Sequence, residues 1–184
     1  MNRFLISAAH KSSGKTVISA GLTTALIERG YKVSTFKKGP DYIDPMWLGL
    51  ACGQPCWNLD FYTMGSDEIR ECFVRQSAGA DVALIEGNKG LFDGLDVEGG
   101  DSNAALAKLL NIPVVLVIDV TGITRGVAPL LSGYIAFDPE VRIAGVVLNR
   151  VAGPRHERKL RAAIDRYTCL LYTSPSPRDA PLGR

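Results

Sequence analysis

Ala9-His10-Lys11-Ser12-Ser13-Gly14-Lys15-Thr16 is the stretch that decides the fold. An apolar run, Phe4-Leu5-Ile6, leads into it, and a helix-compatible run, Val17 to Arg29, leaves it. Strand, loop and helix in that order are the setting of a phosphate-binding loop. The first N–H groups of a helix have no partner within it, and the helix dipole draws an anion to them. Ser12, Ser13 and Gly14 therefore read as a nucleotide cradle. Lys15 adds a point charge for the β- and γ-phosphates, and the Thr16 hydroxyl is placed for Mg²⁺. One departure matters. Ala9 stands where such loops usually carry their first glycine. Alanine tolerates positive φ less well than glycine, so the loop is expected to start in a conventional or mildly strained conformation.

Further along, three apolar runs repeat the first: Val82-Ala83-Leu84-Ile85, Val114-Val115-Leu116-Val117-Ile118 and Ile143-Ala144-Gly145-Val146-Val147-Leu148. Each is short, continuous and rich in β-branched residues, as a strand buried on both faces should be. Val33-Ser34-Thr35-Phe36 is a weaker strand candidate. Helical segments lie between them. Val17 to Arg29 stops at Gly30, and Ser102 to Leu110 follows Asp101, a candidate N-cap. Arg125 to Phe137 carries Pro129 near its first turn, and His156 to Tyr167 follows Gly153-Pro154. Strands alternating with helices predict an α/β fold of the P-loop NTPase type, with a mainly parallel sheet flanked by helices.

The 184 residues fit one domain with a proper core. A hydrophobic share of 46% and a charged share of 22% are those of a globular protein. A net charge of +2 without a basic run gives no reason to expect nucleic acid. No apolar stretch reaches transmembrane length, and Met1-Asn2-Arg3-Phe4 enters the first strand directly. A cytoplasmic protein without membrane or nucleic-acid partners is expected. Cys52, Cys56, Cys72 and Cys169 lack paired C-x-x-C spacing and read as reduced thiols.

Ligands of such sheets bind beyond the carboxyl ends of the strands. The segments found there are unusual. They are Lys37-Lys38-Gly39-Pro40-Asp41-Tyr42-Ile43-Asp44-Pro45, then Glu86-Gly87-Asn88-Lys89-Gly90-Leu91-Phe92-Asp93-Gly94, then Asp119-Val120-Thr121-Gly122, then Asn149-Arg150. Carboxylates and glycines recur at every strand end. From Cys169 onward the pattern breaks. Thr173-Ser174-Pro175-Ser176-Pro177-Arg178-Asp179-Ala180-Pro181 has no apolar period and is not expected to continue a sheet. The run from Cys169 to Asp179 looks like read-through of a sequencing adaptor. Residues 1–168 are thus expected to form the domain, and 169–184 a non-native-looking, disordered tail.

The phosphate loop, Lys-Gly-Pro-Asp-Tyr-Ile-Asp-Pro, Glu-Gly-Asn-Lys-Gly-Leu-Phe-Asp-Gly and the Val-Leu-Asn-Arg strand end occur in this order. Together they resemble the N-terminal ATP-binding synthetase domain of the cobyrinic acid a,c-diamide synthase family, over about residues 3–167. The second and third motifs are specific. The loop alone points to a wider superfamily that includes dethiobiotin synthetase and the partition ATPases. The resemblance implies ATP-dependent amidation of the a and c carboxylates of a corrin precursor, a step of cobalamin biosynthesis, through an acyl phosphate. A close relative amidates nickel-sirohydrochlorin, and the motifs do not separate the two. The family's C-terminal glutaminase domain, which makes ammonia from glutamine, is not found in these residues. A homodimer is compatible with the resemblance. The competing readings are a partition-type ATPase and an inert nucleotide-binding module. Against the former, His10 stands where that class has its signature lysine, and Lys-Gly-Pro-Asp would have no role.

Phosphorylating a carboxylate brings two anions together, so the site must supply positive charge and positioning. Lys15 and Mg²⁺ meet that need. Thr16, Asp41 and Glu86 are the expected Mg²⁺ set, hard oxygens at three strand ends. Asp44 and Asp93 are second choices, for metal or for holding ammonia and the acyl phosphate. Lys37 and Lys38 are candidates for substrate carboxylates or γ-phosphate, one of the two being expected to be merely solvated. Lys89 and Arg125 are weaker candidates of the same kind. Asn149 resembles the family's adenine-contacting residue, and an amide can pair with an adenine edge. Trp47, Trp57, Phe61 and Tyr62 are candidates for a tetrapyrrole wall, with at least two of them expected in the core. His10 and His156 are expected to be exposed and inert.

Overall fold

Continuous apolar runs need burial on both faces, and a parallel sheet between helical layers supplies it. The computed structural model describes residues 1–168 and 170–173. Its strands are β1 (Asn2–Ala8), β2 (Val33–Lys38), β3 (Trp57–Leu59), β4 (Val82–Glu86), β5 (Val114–Asp119), β6 (Ile143–Asn149) and β7 (Leu171–Thr173). They form one sheet in the order β3-β2-β4-β1-β5-β6-β7, and every pairing is parallel. The helices are α1 (Lys15–Glu28), α2 (Ile43–Cys52), α3 (Ser66–Gln76), α4 (Asn103–Leu110), α5 (Val127–Phe137) and α6 (Pro154–Tyr167).

Successive strand residues face opposite sides of the sheet. In β1, Leu5 joins the larger core, with Phe36, Phe73, Leu116, Leu131 and Ile164. Its neighbours Ile6 and Ala8 join a smaller one, against Ile18 and Leu22 of α1. The rings of Phe36 and Phe73 meet at 5.0 Å and tie α3 to the sheet. No helix among the described residues is long and apolar enough to cross a membrane.

The differences from the sequence reading have local causes. α1 starts at Lys15, inside the phosphate loop. Ser102, not Asp101, caps α4, its hydroxyl accepting from the Ala105 N–H at 3.1 Å. Asp101 instead accepts from the Leu95 N–H at 2.7 Å. The sequence reading left α2, β3 and α3 unassigned. α2 turns Ile43, Met46, Trp47 and Leu50 outward, so its apolar spacing marks an exposed face. α3 buries only Ile69, Cys72 and Phe73, one narrow stripe, and β3 has three residues. The excluded C-terminal segment needs a correction. Leu171–Thr173 pairs with β6, Gly145 opposite Leu171. Backbone pairing covers the edge of β6 and needs no apolar period. The remainder of the expected tail, Cys169 and residues 174–184, lies outside the described residues.

Candidate active site

β1 delivers the chain to the phosphate loop in an ordinary conformation. The Ala9 N–H still donates to the Val117 carbonyl of β5 at 3.2 Å, and Tyr134 of α5 donates its hydroxyl to the Ala9 carbonyl. The left-handed positions of the loop are Ser12 (φ 65°) and Gly14 (φ 92°), so the strain falls at Ser12 and not at Ala9. Gly14 must be glycine for a second reason: a Cβ there would run into the Asn149 carboxamide. That carboxamide donates to the Ser13 carbonyl at 2.9 Å and accepts from the Arg150 N–H at 3.0 Å. In this structure Asn149, predicted to meet adenine, braces the loop from the end of β6.

Glu86, the last residue of β4, is fully buried. Its Oε1 accepts from the Thr16 hydroxyl at 2.7 Å and from the Lys37 ammonium at 3.0 Å. Lys37, only 2% exposed, also donates to Asp44 Oδ2 at 2.6 Å and to the Gly87 carbonyl at 3.3 Å, and lies 3.9 Å from Asp41 Oδ2. Burial pushes Glu86 above the usual carboxylate range, with Lys37 pulling it back only in part. Burial alone would lower Lys37, but Glu86 and Asp44 outweigh it and hold the ammonium charged. Burial would likewise raise Asp44, and its bond to Lys37 brings it below the usual value. Lys15 donates to the Lys89 carbonyl at 3.0 Å. Burial, and then the nearby Lys37 charge, lowers its pKa.

These groups line a cavity of about 440 Å³, shared by Lys11, Ser12, Gly14, Lys15, Thr16, Lys37, Asp41, Asp44 and Glu86. Phosphate-loop donors, four lysines (Lys89 being the fourth) and three carboxylates meet there. Two of the expected Mg²⁺ oxygens, from Thr16 and Glu86, touch. Asp41 spends its Oδ1 on the first turn of α2, accepting from the Ile43 N–H at 2.9 Å, so Asp44 stands closer to the cluster's centre. The donor set fits Mg²⁺. Glu86 Oε2 is buried without a hydrogen bond among the described residues. The described residues hold no group of three carboxylate or imidazole ligands able to hold a metal alone. Mg²⁺ commonly takes one or two protein oxygens and completes its shell with phosphates and water.

Asn103, which the sequence reading missed, shapes the loop after β4. This fully buried side chain donates to Ser7 Oγ (3.1 Å), the Asn88 carbonyl (3.2 Å) and the Gly90 carbonyl (2.9 Å), and accepts from the Asn88 N–H (3.2 Å). Asp93 accepts from the Gly90 N–H at 2.9 Å, and a Cβ on Gly90 would collide with that carboxylate and with the Ala9 carbonyl. The loop is therefore folded against the phosphate loop. The available signal was Ser102-Asn103 at a helix start, which reads equally well as a cap.

Several expectations need correction. Lys38 is as buried as Lys37, at 4% exposure, so neither lysine is merely solvated. Lys38 and Asp93 line a neighbouring cavity, with Lys89 shared between the two. Arg125 lies elsewhere, over the Tyr167 ring at 5.5 Å. Of the four aromatic candidates only Phe61 packs against the core; Trp47, Trp57 and Tyr62 are exposed. His10 is exposed, but His156 is half-buried, accepting from the Ala152 N–H at Nδ1 and donating from Nε2 to the Ile123 carbonyl. Burial pushes the Cys56 thiol up to about 12 and raises Cys52 as well, the opposite of what a nucleophile needs.

Residues 5–175 match the family described as the CobQ/CobB/MinD/ParA nucleotide binding domain. A cobyrinate a,c-diamide synthase of Magnetococcus marinus is 53% identical over 180 residues, 98% of this chain and 38% of that protein. A hydrogenobyrinate a,c-diamide synthase of Streptomyces coelicolor is 48% identical over 164 residues, 89% of this chain and 34% of that protein. The chain thus spans a little over a third of these relatives' length. Among solved structures, the hydrogenase maturation factor HypB of Archaeoglobus fulgidus superposes with a TM-score of 0.62 at 15% identity, over 98% of this chain and 83% of its own. Chloroplast FtsY of Physcomitrella patens gives 0.63 at 16%, over 92% and 57%. These two likenesses carry the fold alone. Phosphate loop, parallel sheet and sequence match agree: the chain belongs to the CobQ/CobB/MinD/ParA nucleotide binding domain family.

Proposed function

We propose that this domain uses ATP and Mg²⁺ to phosphorylate carboxylates of a corrin precursor, cobyrinic acid, and passes the acyl group to ammonia as an amide. The observation that carries the reading is Lys37, a charged lysine from β2 buried in the wall of the phosphate-loop cavity. A switch ATPase needs only water beside the γ-phosphate. A second buried ammonium in that wall, beside Lys15, suits a reaction in which two anions must meet. The names of the relatives support the substrate class, and no observation favours nickel-sirohydrochlorin or a partition-type role.

In this reading the loop N–H groups of residues 12–16 and Lys15 bind the triphosphate. Thr16, Glu86 and Asp44 would hold Mg²⁺, which when bound would supply charge neutralisation at the transferring phosphoryl group; Asp41 orders the start of α2 and adds its charge. Lys37 offsets the charge of Glu86 and Asp44 and fixes both carboxylates beside the phosphate loop. A carboxylate oxygen attacks phosphorus, the bond to ADP breaks, and the phosphate becomes a leaving group on the acyl carbon. Ammonia attacks that carbon, expels phosphate and loses a proton, with Asp93 as the candidate to hold it. The adenine contact falls to Asn149, which would keep one N–H beyond its bond to Ser13. In the longer relatives' context the ammonia would come from a glutaminase domain.

The test is amidation with ammonium chloride in place of glutamine. Cobyrinic acid and nickel-sirohydrochlorin are each incubated with ATP and Mg²⁺. ATP-dependent mass loss of about 1 Da per carboxylate of cobyrinic acid, the change from OH to NH₂, supports the reading. ATP hydrolysis without amide formation on either tetrapyrrole overturns it.

A further inference from the structure

A second cavity of about 350 Å³ lies beside the nucleotide cavity, and Asn88 and Lys89 line both. Lys37 and Lys38 are consecutive in β2 and so project to opposite sides of the strand. One lysine serves each cavity. The Lys38 side chain is 4% exposed, and the carboxylate nearest its ammonium, Asp101 Oδ2, is 3.7 Å away. That is a loose ion pair, at the outer limit of hydrogen-bond reach, and Asp101 is the ion-pair partner of this ammonium among the described residues. Burial pulls its pKa below the ordinary lysine value, against Asp101 and Asp60. A buried ammonium held by one loose ion pair still has N–H groups to give, and a further anion that reached it would offset the cost of its burial.

The aspartates around this cavity are already engaged. Asp60 accepts from the Tyr62 N–H at 3.3 Å and the Thr63 hydroxyl at 3.1 Å. Asp93 accepts from Gly90, and Asp101 from Leu95. They fix the walls; Asp101 turns its other oxygen to Lys38, and Lys38 and Lys89 supply the cavity's cationic N–H groups. The shared wall also carries an unspent acceptor, since Asn88 Oδ1 is buried without a hydrogen bond among the described residues. Tyr62 and Leu95 line the same cavity and are largely exposed, so an apolar body could rest against them outside it.

We propose that this second cavity takes a carboxylate-bearing arm of the substrate, with the Lys38 ammonium reading that carboxylate beside the Asn88-Lys89 edge that the two cavities share. The inference rests on the reading that the nucleotide site phosphorylates a carboxylate. It assigns recognition to Lys38 and leaves nucleotide binding to the neighbouring cavity.

The experiment compares Lys38→Met, which keeps the apolar stem, with Lys38→Arg, which keeps the charge. Expected for Lys38→Met is a KM for cobyrinic acid raised about tenfold or more, with the Kd for ATP within about twofold of wild type. Lys38→Arg should recover part of the loss. An unchanged KM in Lys38→Met, or an equal loss of ATP affinity, overturns the assignment. Equilibrium dialysis on the unaltered chain tests it without a variant: cobyrinic acid should bind and its full methyl ester should not. Equal binding of the ester overturns it too. If the unaltered chain amidates no tetrapyrrole, the functional reading itself fails, whereas an active chain indifferent to Lys38→Met sinks only the Lys38 assignment.

Discussion

Thr16 and Glu86 lie 70 positions apart in the chain, and the hydroxyl of one donates to the buried carboxylate of the other at 2.7 Å. β1 and β4 are neighbours in the sheet, with Ile6 opposite Glu86, so the phosphate loop opens beside the carboxylate. The bond joins the two halves of the nucleotide site before any ligand arrives.

Lys15 has little structural work in the chain itself: among the described residues its ammonium donates to the Lys89 carbonyl. Lys15→Ala should therefore keep the fold and lose the nucleotide. Loss of a charge-assisted phosphate contact is expected to cost about 2–3 kcal/mol, roughly a hundredfold in ATP affinity. Calorimetric titration with ATP, beside a thermal melt, checks both halves. ATP affinity like wild type would remove the loop from the nucleotide site.

Lys37 is the cation of a buried cluster, so removing it alone leaves the buried Glu86 carboxyl and Asp44 without their counter-charge. Lys37→Met is expected to destabilise the chain by about 3–5 kcal/mol. Adding Glu86→Gln should return much of that, because the buried carboxyl without its counter-charge is gone. Urea unfolding of the two single variants and the double variant measures the coupling. Additive losses would mean that the pair does not interact.

Asp44 supplies an acid-side signature. Burial would raise its carboxyl, but the Lys37 bond outweighs that and holds it below 3.8. A carboxyl depressed in the folded state adds stability that is complete above the unfolded value and lost as the pH falls through the folded one. Asp44→Asn should thus be less stable than wild type at neutral pH, and the two should converge on acidification below 3.8. Melting temperatures across a pH series check this. A gap that stays constant to the lowest pH would remove Asp44 from the ion pair.

Much of the fold was legible because a strand buried on both faces is a continuous apolar run. β1, β4, β5 and β6 each carry one, and the parallel order then places their carboxyl ends, with Glu86 and Asn149, at one edge. The partition of Lys37 and Lys38 between two cavities was also available from the two-residue period of a strand, but consecutive lysines invite the reading that one is solvent-facing. Asn103 was not legible. A buried asparagine leaves no periodicity, and its partners lie 13 to 96 positions away. α2 was hidden for the opposite reason: its apolar residues, Met46 and Trp47 among them, face outward, so their spacing does not mark a core. β7 escaped because it adds three residues of backbone pairing to the β6 edge, which no side-chain pattern announces.

The central claim is that a carboxylate of the substrate receives the phosphoryl group before ammonia does its work. The most direct measurement uses cobyrinic acid labelled with 18O in its carboxylates, with ATP, Mg²⁺ and ammonium chloride, and mass analysis of the phosphate released. Attack by the carboxylate oxygen carries that oxygen into phosphate. The expected result is one labelled oxygen per phosphate for each amide formed. Amide formation with unlabelled phosphate would contradict the claim.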